Sequence, residues 1–136
     1  MNDLIQLNRV VTSNFGKEAL EDGCAVIPMS FFDLARMRLK PLQSTILLNL
    51  LAEYEQFGSV CFSDRALASR CGCSPQTIQK HLSRLEKIGL IKFCLIETGA
   101  YRGWRRYDIT TLLAYLTVLS KKRAEAASPR LMGDAA

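Results

Sequence analysis

The chain has 136 residues, enough for one domain with its own core, and 49% hydrophobic beside 23% charged content is the composition of a globular protein rather than a disordered one. The net charge of +5 and a pI near 9.1 suit an acidic partner. The longest apolar run, Thr45 to Ala52, is broken by Asn49 and falls far short of the ~20 residues of a membrane span, which sets aside a membrane-spanning role.

Asp3 follows the first two residues and no apolar stretch precedes a cleavage site, so no signal peptide is expected and a reducing cytoplasm is the expected compartment. Five cysteines without framework spacing fit free thiols. Cys71, Cys73 and His81 lack a fourth ligand at a recognisable spacing, so neither a metal nor another cofactor is expected.

In chain order, residues 1–25 read as an N-terminal arm or short helix. Leu4, Leu7 and Val11 fall on one side, with Asn2 or Asp3 as cap, and Gly16 to Gly23 is polar and loose. Residues 26–110 form the main domain. Cys24 to Met29 is expected to be extended before and around Pro28, and Ser30 to Arg36 to make a short helical turn. Leu39 to Phe57 reads as a buried helix with Pro41 in its first turn; Leu42, Ile46, Leu47, Leu50, Leu51, Tyr54 and Phe57 make its broad apolar face. Val60 to Phe62 is a brief strand candidate.

Ser63 to Gly89 is the organising stretch. Ser63 caps a short helix carrying Leu67 and Ala68, Gly72 reverses the chain, and Ser74-Pro75 starts a second helix. Ile78, Leu82, Leu85 and Ile88 recur on one side of that second helix, while Gln76, Lys80, Ser83 and Lys87 project from the other with Arg84 beside them. Long hydrogen-bonding side chains on a free helix face suit a DNA major groove.

Leu90 to Glu97 and Trp104 to Ile109 are strand candidates, and the six residues between them contain two glycines, as a hairpin requires. Arg102, Arg105 and Arg106 lie at or near its tip. Residues 111–127 are expected as a C-terminal helix, a possible dimerisation element with Asp108 or Thr110 as cap, and 128–136 as a disordered tail. Lys121, Lys122 and Arg123 suit the dipole at the end of that helix.

The positive surplus is local. Residues 63–108 carry nine Lys and Arg against four Asp and Glu, whereas the remainder balances at nine and nine. The helical pair and hairpin are therefore the expected polyanion surface.

Helix, short strand, helix, turn, helix and two-stranded wing is the order of winged helix-turn-helix proteins, a mainly α (α+β) fold with a helical core, a β-wing and a C-terminal helix. Leu67 through Phe93, with Ala68, Gly72, Ser74, Thr77-Ile78, Leu82 and Leu85-Glu-Lys-Ile-Gly-Leu-Ile91, resembles the DNA-binding domains of bacterial, phage and plasmid regulators. Arg106-Tyr-Asp-Ile-Thr-Thr-Leu-Leu113 is similar to the segment after the wing in plasmid and phage replication proteins. The resemblance implies that the helix from Pro75 enters the major groove, with the wing on the backbone or in the minor groove, and a homodimer on a palindrome or repeats.

The expected function is sequence-specific binding of double-stranded DNA by a small transcriptional regulator, a repressor, cytoplasmic and nucleoid- or plasmid-associated. Gln76, Thr77, Lys80, Ser83 and Arg84 would read base edges, and Arg65, Ser74, Lys87, Arg102, Arg105 and Arg106 would hold phosphates. Rival readings are a replication or partition protein marking repeats and recruiting replication or transcription proteins, and a winged-helix module for acidic protein partners. No enzyme is expected, because His81 has no triad, paired-carboxylate or phosphate-loop context. His81 departs from the apolar stripe and is expected as a half-buried histidine bonded to a backbone carbonyl.

Overall fold

The computed structural model describes residue 9 and residues 11–135. Leu4 and Leu7 of the expected N-terminal helix therefore lie outside the described residues, while residues 11–15 are helical. One-turn and three-turn 3-10 segments follow at Glu18–Leu20 and Met29–Met37, the second where a short helical turn was expected. The regular elements are then α1 (Pro41–Phe57), β1 (Val60–Phe62), α2 (Asp64–Cys71), α3 (Pro75–Lys87), β2 (Lys92–Leu95), β3 (Arg105–Asp108) and α4 (Thr110–Ala135). No helix among the described residues is long and apolar enough to cross a membrane.

One core unites them. Ile46, Leu47, Leu50 and Leu51 of α1 are buried against Leu67 and Ala68 of α2 and Ile78, Leu82 and Leu85 of α3, with Leu112, Leu116 and Leu119 of α4 and Phe31 and Leu34 of the 3-10 segment completing the cluster. Burial of so many Leu and Ile side chains, each contributing about 1.5–3 kcal/mol, is what holds the three-helix centre together. Small Ala68 lets α2 lie close to its neighbours.

Three residues expected in this core are exposed instead. Tyr54 and Phe57 sit in the last turn of α1, which runs beyond the packed layer that ends at Leu51. Ile88 is 52% exposed because α3 stops there, and Leu90, after the turn, fills the interior in its place.

The three expected strands form one sheet, in which the brief strand β1 joins the two strands of the wing. Its order is β1-β3-β2, antiparallel throughout, with Val60 and Phe93 both opposite Tyr107. β1 thus pins the base of the hairpin to the end of α1.

α4 begins as expected, with the Asp108 carboxylate accepting from the Thr110 N–H at 2.9 Å. It then runs to Ala135, past the expected end at 127 and through the segment expected as a disordered tail. The alanine-rich run from Ala124 to Ala127 favours continuing the helix. Lys121, Lys122 and Arg123 accordingly lie in mid-helix rather than in its last turn. Arg123 donates to Asp33, tying α4 to the 3-10 segment.

Candidate nucleic-acid interface

Local hydrogen bonds shape the α2–turn–α3 unit. Ser63 Oγ accepts from the Ala66 N–H at 3.1 Å and starts α2. Gly72 ends it with φ of +69°, a left-handed conformation that lets its own N–H reach the Ser69 carbonyl and the Cys73 N–H reach that of Ala68. Ser74 Oγ then accepts from the Thr77 N–H at 3.2 Å and meets Thr77 Oγ1 at 2.9 Å, with Pro75 in the first turn of α3.

α3 is sharply two-sided. Ile78, His81, Leu82 and Leu85 are buried, whereas Gln76, Lys80, Ser83, Arg84 and Lys87 are exposed and Thr77 is half-buried. The helix therefore presents one continuous outward strip of amide, hydroxyl, ammonium and guanidinium groups. At its end the Gly89 N–H reaches the Glu86 carbonyl and the Leu90 N–H that of Leu85, with φ of +85° at Gly89. This closed turn swings the chain directly into the wing.

The wing lengthens beyond its ladder through Ile96 and Trp104, whose backbones bond at 2.8 Å. Its tip carries Arg102, exposed, between Tyr101 and Trp104, whose rings meet edge to face at 4.9 Å. Arg65 is exposed in the first turn of α2, and Ser74 is exposed at the mouth of α3.

The neighbouring arginines of β3 part company, because adjacent strand residues point to opposite faces. Arg106 is exposed on the outer face, opposite Cys61 and Cys94. Arg105 turns inward with Tyr107. Its Nε donates to Asp64 Oδ1 at 2.7 Å and its Nη2 to Asp64 Oδ2 at 3.2 Å, and its guanidinium lies 4.7 Å from the Phe93 ring centroid. Asp64 also accepts from Gln79 Nε2 of α3 at 3.0 Å. Burial works to raise the Asp64 carboxyl, but the bonds from Arg105 and Gln79 outweigh it and hold it below its ordinary value. Arg105, expected on phosphate, thus has the Nε–Nη2 edge of its guanidinium occupied by a carboxylate within the chain. Arg70, another of the nine cations, lies 4.9 Å from the Phe62 ring centroid and 3.8 Å from Glu53.

His81 does not bond a backbone carbonyl as expected. Its Nδ1 meets Gln43 Nε2 at 3.2 Å, and burial, followed by the charges of Lys40, Lys80 and Arg84, pushes its pKa below the ordinary value. Lys40, which no local motif marks, is therefore close enough to α3 for its charge to be felt there. Only the fold brings residue 40 beside residue 81.

A helix-turn-helix whose second helix leads into a β-wing is the winged helix-turn-helix class, and the structure is of that class. Residues 38–91 match the family described as a helix-turn-helix domain. The matched stretch spans α1 to the end of the α3 turn; β2, β3 and α4 lie beyond it. Among curated proteins, none matches the chain.

Proposed function

We propose that the chain binds double-stranded DNA with sequence preference and serves as a small transcriptional regulator. One observation carries this reading: the outward strip of α3 is exposed along its length while its inner side is locked into the core. Gln76, Thr77, Lys80, Ser83 and Arg84 then face base edges in the major groove, where each good two-point contact contributes about 1–3 kcal/mol of discrimination. Arg65, Ser74, Lys87, Arg102 and Arg106 hold phosphates, and Tyr101 and Trp104 brace the wing tip around Arg102.

The reading includes a homodimer on a two-fold-related target. Lys121, Lys122, Glu125, Ala126 and Ala127 are exposed on a helix that continues to Ala135, which supports a surface for a second copy to cover.

Selection of bound fragments from a random duplex pool, followed by gel-shift titration against competitor DNA, tests the proposal. The expected result is enrichment of one sequence with two related half-sites a whole number of helical turns apart. Arrays of repeats among the winners would move the reading toward replication or partition. No retention of any duplex at low salt would reject it in favour of a protein partner.

A further inference from the structure

We infer that Asp64 and Arg105 are positioning residues: Asp64 takes the Arg105 guanidinium in the place of a phosphate, and the pair fixes the wing relative to the recognition helix, which makes the surface discriminate among sequences. The inference rests on the DNA-binding reading and adds to it a division between cations that touch DNA and one that does not.

The pair has the geometry of a built joint. Two roughly parallel bonds, at 2.7 and 3.2 Å, join a planar guanidinium to a planar carboxylate, an arrangement that restricts rotation as well as distance. The side chains are 15% and 18% exposed, so solvent competes poorly for either partner. The joint also unites three elements. Asp64 belongs to the first turn of α2, Arg105 opens β3 at the base of the wing tip, and Gln79 reaches the same carboxylate from α3. The Phe93 ring of β2 lies against the guanidinium, its centroid 4.7 Å away. A carboxylate bonded at once by the wing and by α3 leaves the two DNA-facing parts little freedom to move independently. Loss of the joint therefore affects registration of the wing against a target more than it affects attraction to a polyanion.

The salt dependence of binding separates positioning from contact, because each phosphate neutralised by a cation contributes about 0.9 to the slope of log affinity against log salt. Three full-length variants, Arg105→Met, Arg105→Lys and Asp64→Asn, are compared with the unsubstituted chain on the selected duplex and on a random duplex across a NaCl series. In parallel, acrylamide quenching and anisotropy of Trp104, the single tryptophan, report the freedom of the wing in the absence of DNA.

Arg105→Met and Asp64→Asn are expected to weaken binding to the selected duplex on the order of tenfold, the loss typical of a misplaced base contact. Binding to random duplex should stay within about twofold and Arg105→Met should leave the slope unchanged. Trp104 should become more mobile in both. Arg105→Lys keeps the charge without the paired fork and is expected to fall between; being the mildest change, it carries the test if either of the others fails to fold. A slope reduced by about 0.9 in Arg105→Met would show a phosphate contact and overturn the inference. Unchanged discrimination with an unchanged Trp104 signal would overturn it as well. If the unsubstituted chain holds no duplex, the DNA-binding reading falls and discrimination with it, whereas the Trp104 comparison still decides whether the pair fixes the wing.

Discussion

Gln43 and His81 meet in the core, Nε2 to Nδ1 at 3.2 Å, and so bind the first turn of α1 to the middle of α3 across 38 positions of sequence. Gln43 Oε1 accepts from the Lys40 N–H at 2.9 Å, which turns the amide so that its NH2 group faces the ring. Nδ1 is then the acceptor, and the imidazole is neutral with its proton on Nε2. A protonated ring would set an N–H against the amide N–H2 and add a cation among Lys40, Lys80 and Arg84. The buried histidine is thus a polar anchor for α3 that works only while uncharged.

A pH dependence follows. Burial first, and then those three cations, hold the folded-state pKa below the ordinary 6.5, so the unfolded chain takes up the proton first. Stability is complete above about pH 6.5 and is lost as pH falls from there through the folded-state pKa. Thermal unfolding between pH 7.5 and about 5 should show the melting temperature of the unsubstituted chain falling more steeply than that of His81→Gln, which cannot titrate. Parallel curves would remove His81 as the cause.

Gly72 is expected to resist substitution for reasons of backbone rather than space. Nothing lies within 4 Å of the position a Cβ would occupy, but φ is +69°, where an L side chain is strained. Gly72→Ala should therefore cost about 1–2 kcal/mol in urea unfolding with an unchanged m-value. A neutral result would mean that the turn relaxes without disturbing α3.

Lys40 is expected to belong to the DNA-facing surface although it stands before α1. It is exposed, and its charge is felt at His81 alongside those of Lys80 and Arg84. Lys40→Ala should weaken binding to selected and random duplexes alike and lower the salt slope by about 0.9, as expected of one phosphate contact. An unchanged slope would take Lys40 off the backbone.

Local signals made the helix-turn-helix legible, because caps and turns act within a few residues. Ser63, Gly72, Ser74-Pro75 and Gly89 each sit where their hydrogen bonds or positive φ are needed. The inward turn of Arg105 has a signal in the sequence: Arg105, Tyr107 and Ile109 are alternate residues, and Tyr107 and Ile109 turned inward carry Arg105 with them. The proximity of Lys40 and Gln43 to α3, and the pairing of β1 with β3, depend on the packing of distant segments. No local pattern encodes them. The length of α4 is illegible for a different reason, since Ser128-Pro129 reads as a stop while the alanines before it favour helix.

The outward strip of α3 should divide by function from the wing tip. Lys80 and Arg84 lie on α3 and are exposed one turn apart on the side away from the core, the placement that the proposed reading of base edges requires. Arg102 sits at the end of the hairpin with its guanidinium free of the core and its backbone N–H bonded to the Gly99 carbonyl at 3.3 Å, a placement suited to phosphate or the minor groove. Lys80→Ala and Arg84→Ala should each reduce preference for the selected sequence by about 1–3 kcal/mol and change which base is tolerated at one position of the site. Arg102→Ala should instead lower affinity for every duplex and flatten the salt slope by about 0.9 while leaving the preferred sequence intact. Repeating the random-pool selection with each variant distinguishes the two roles, and identical consensus sequences from all three would place Lys80 and Arg84 on the backbone with Arg102.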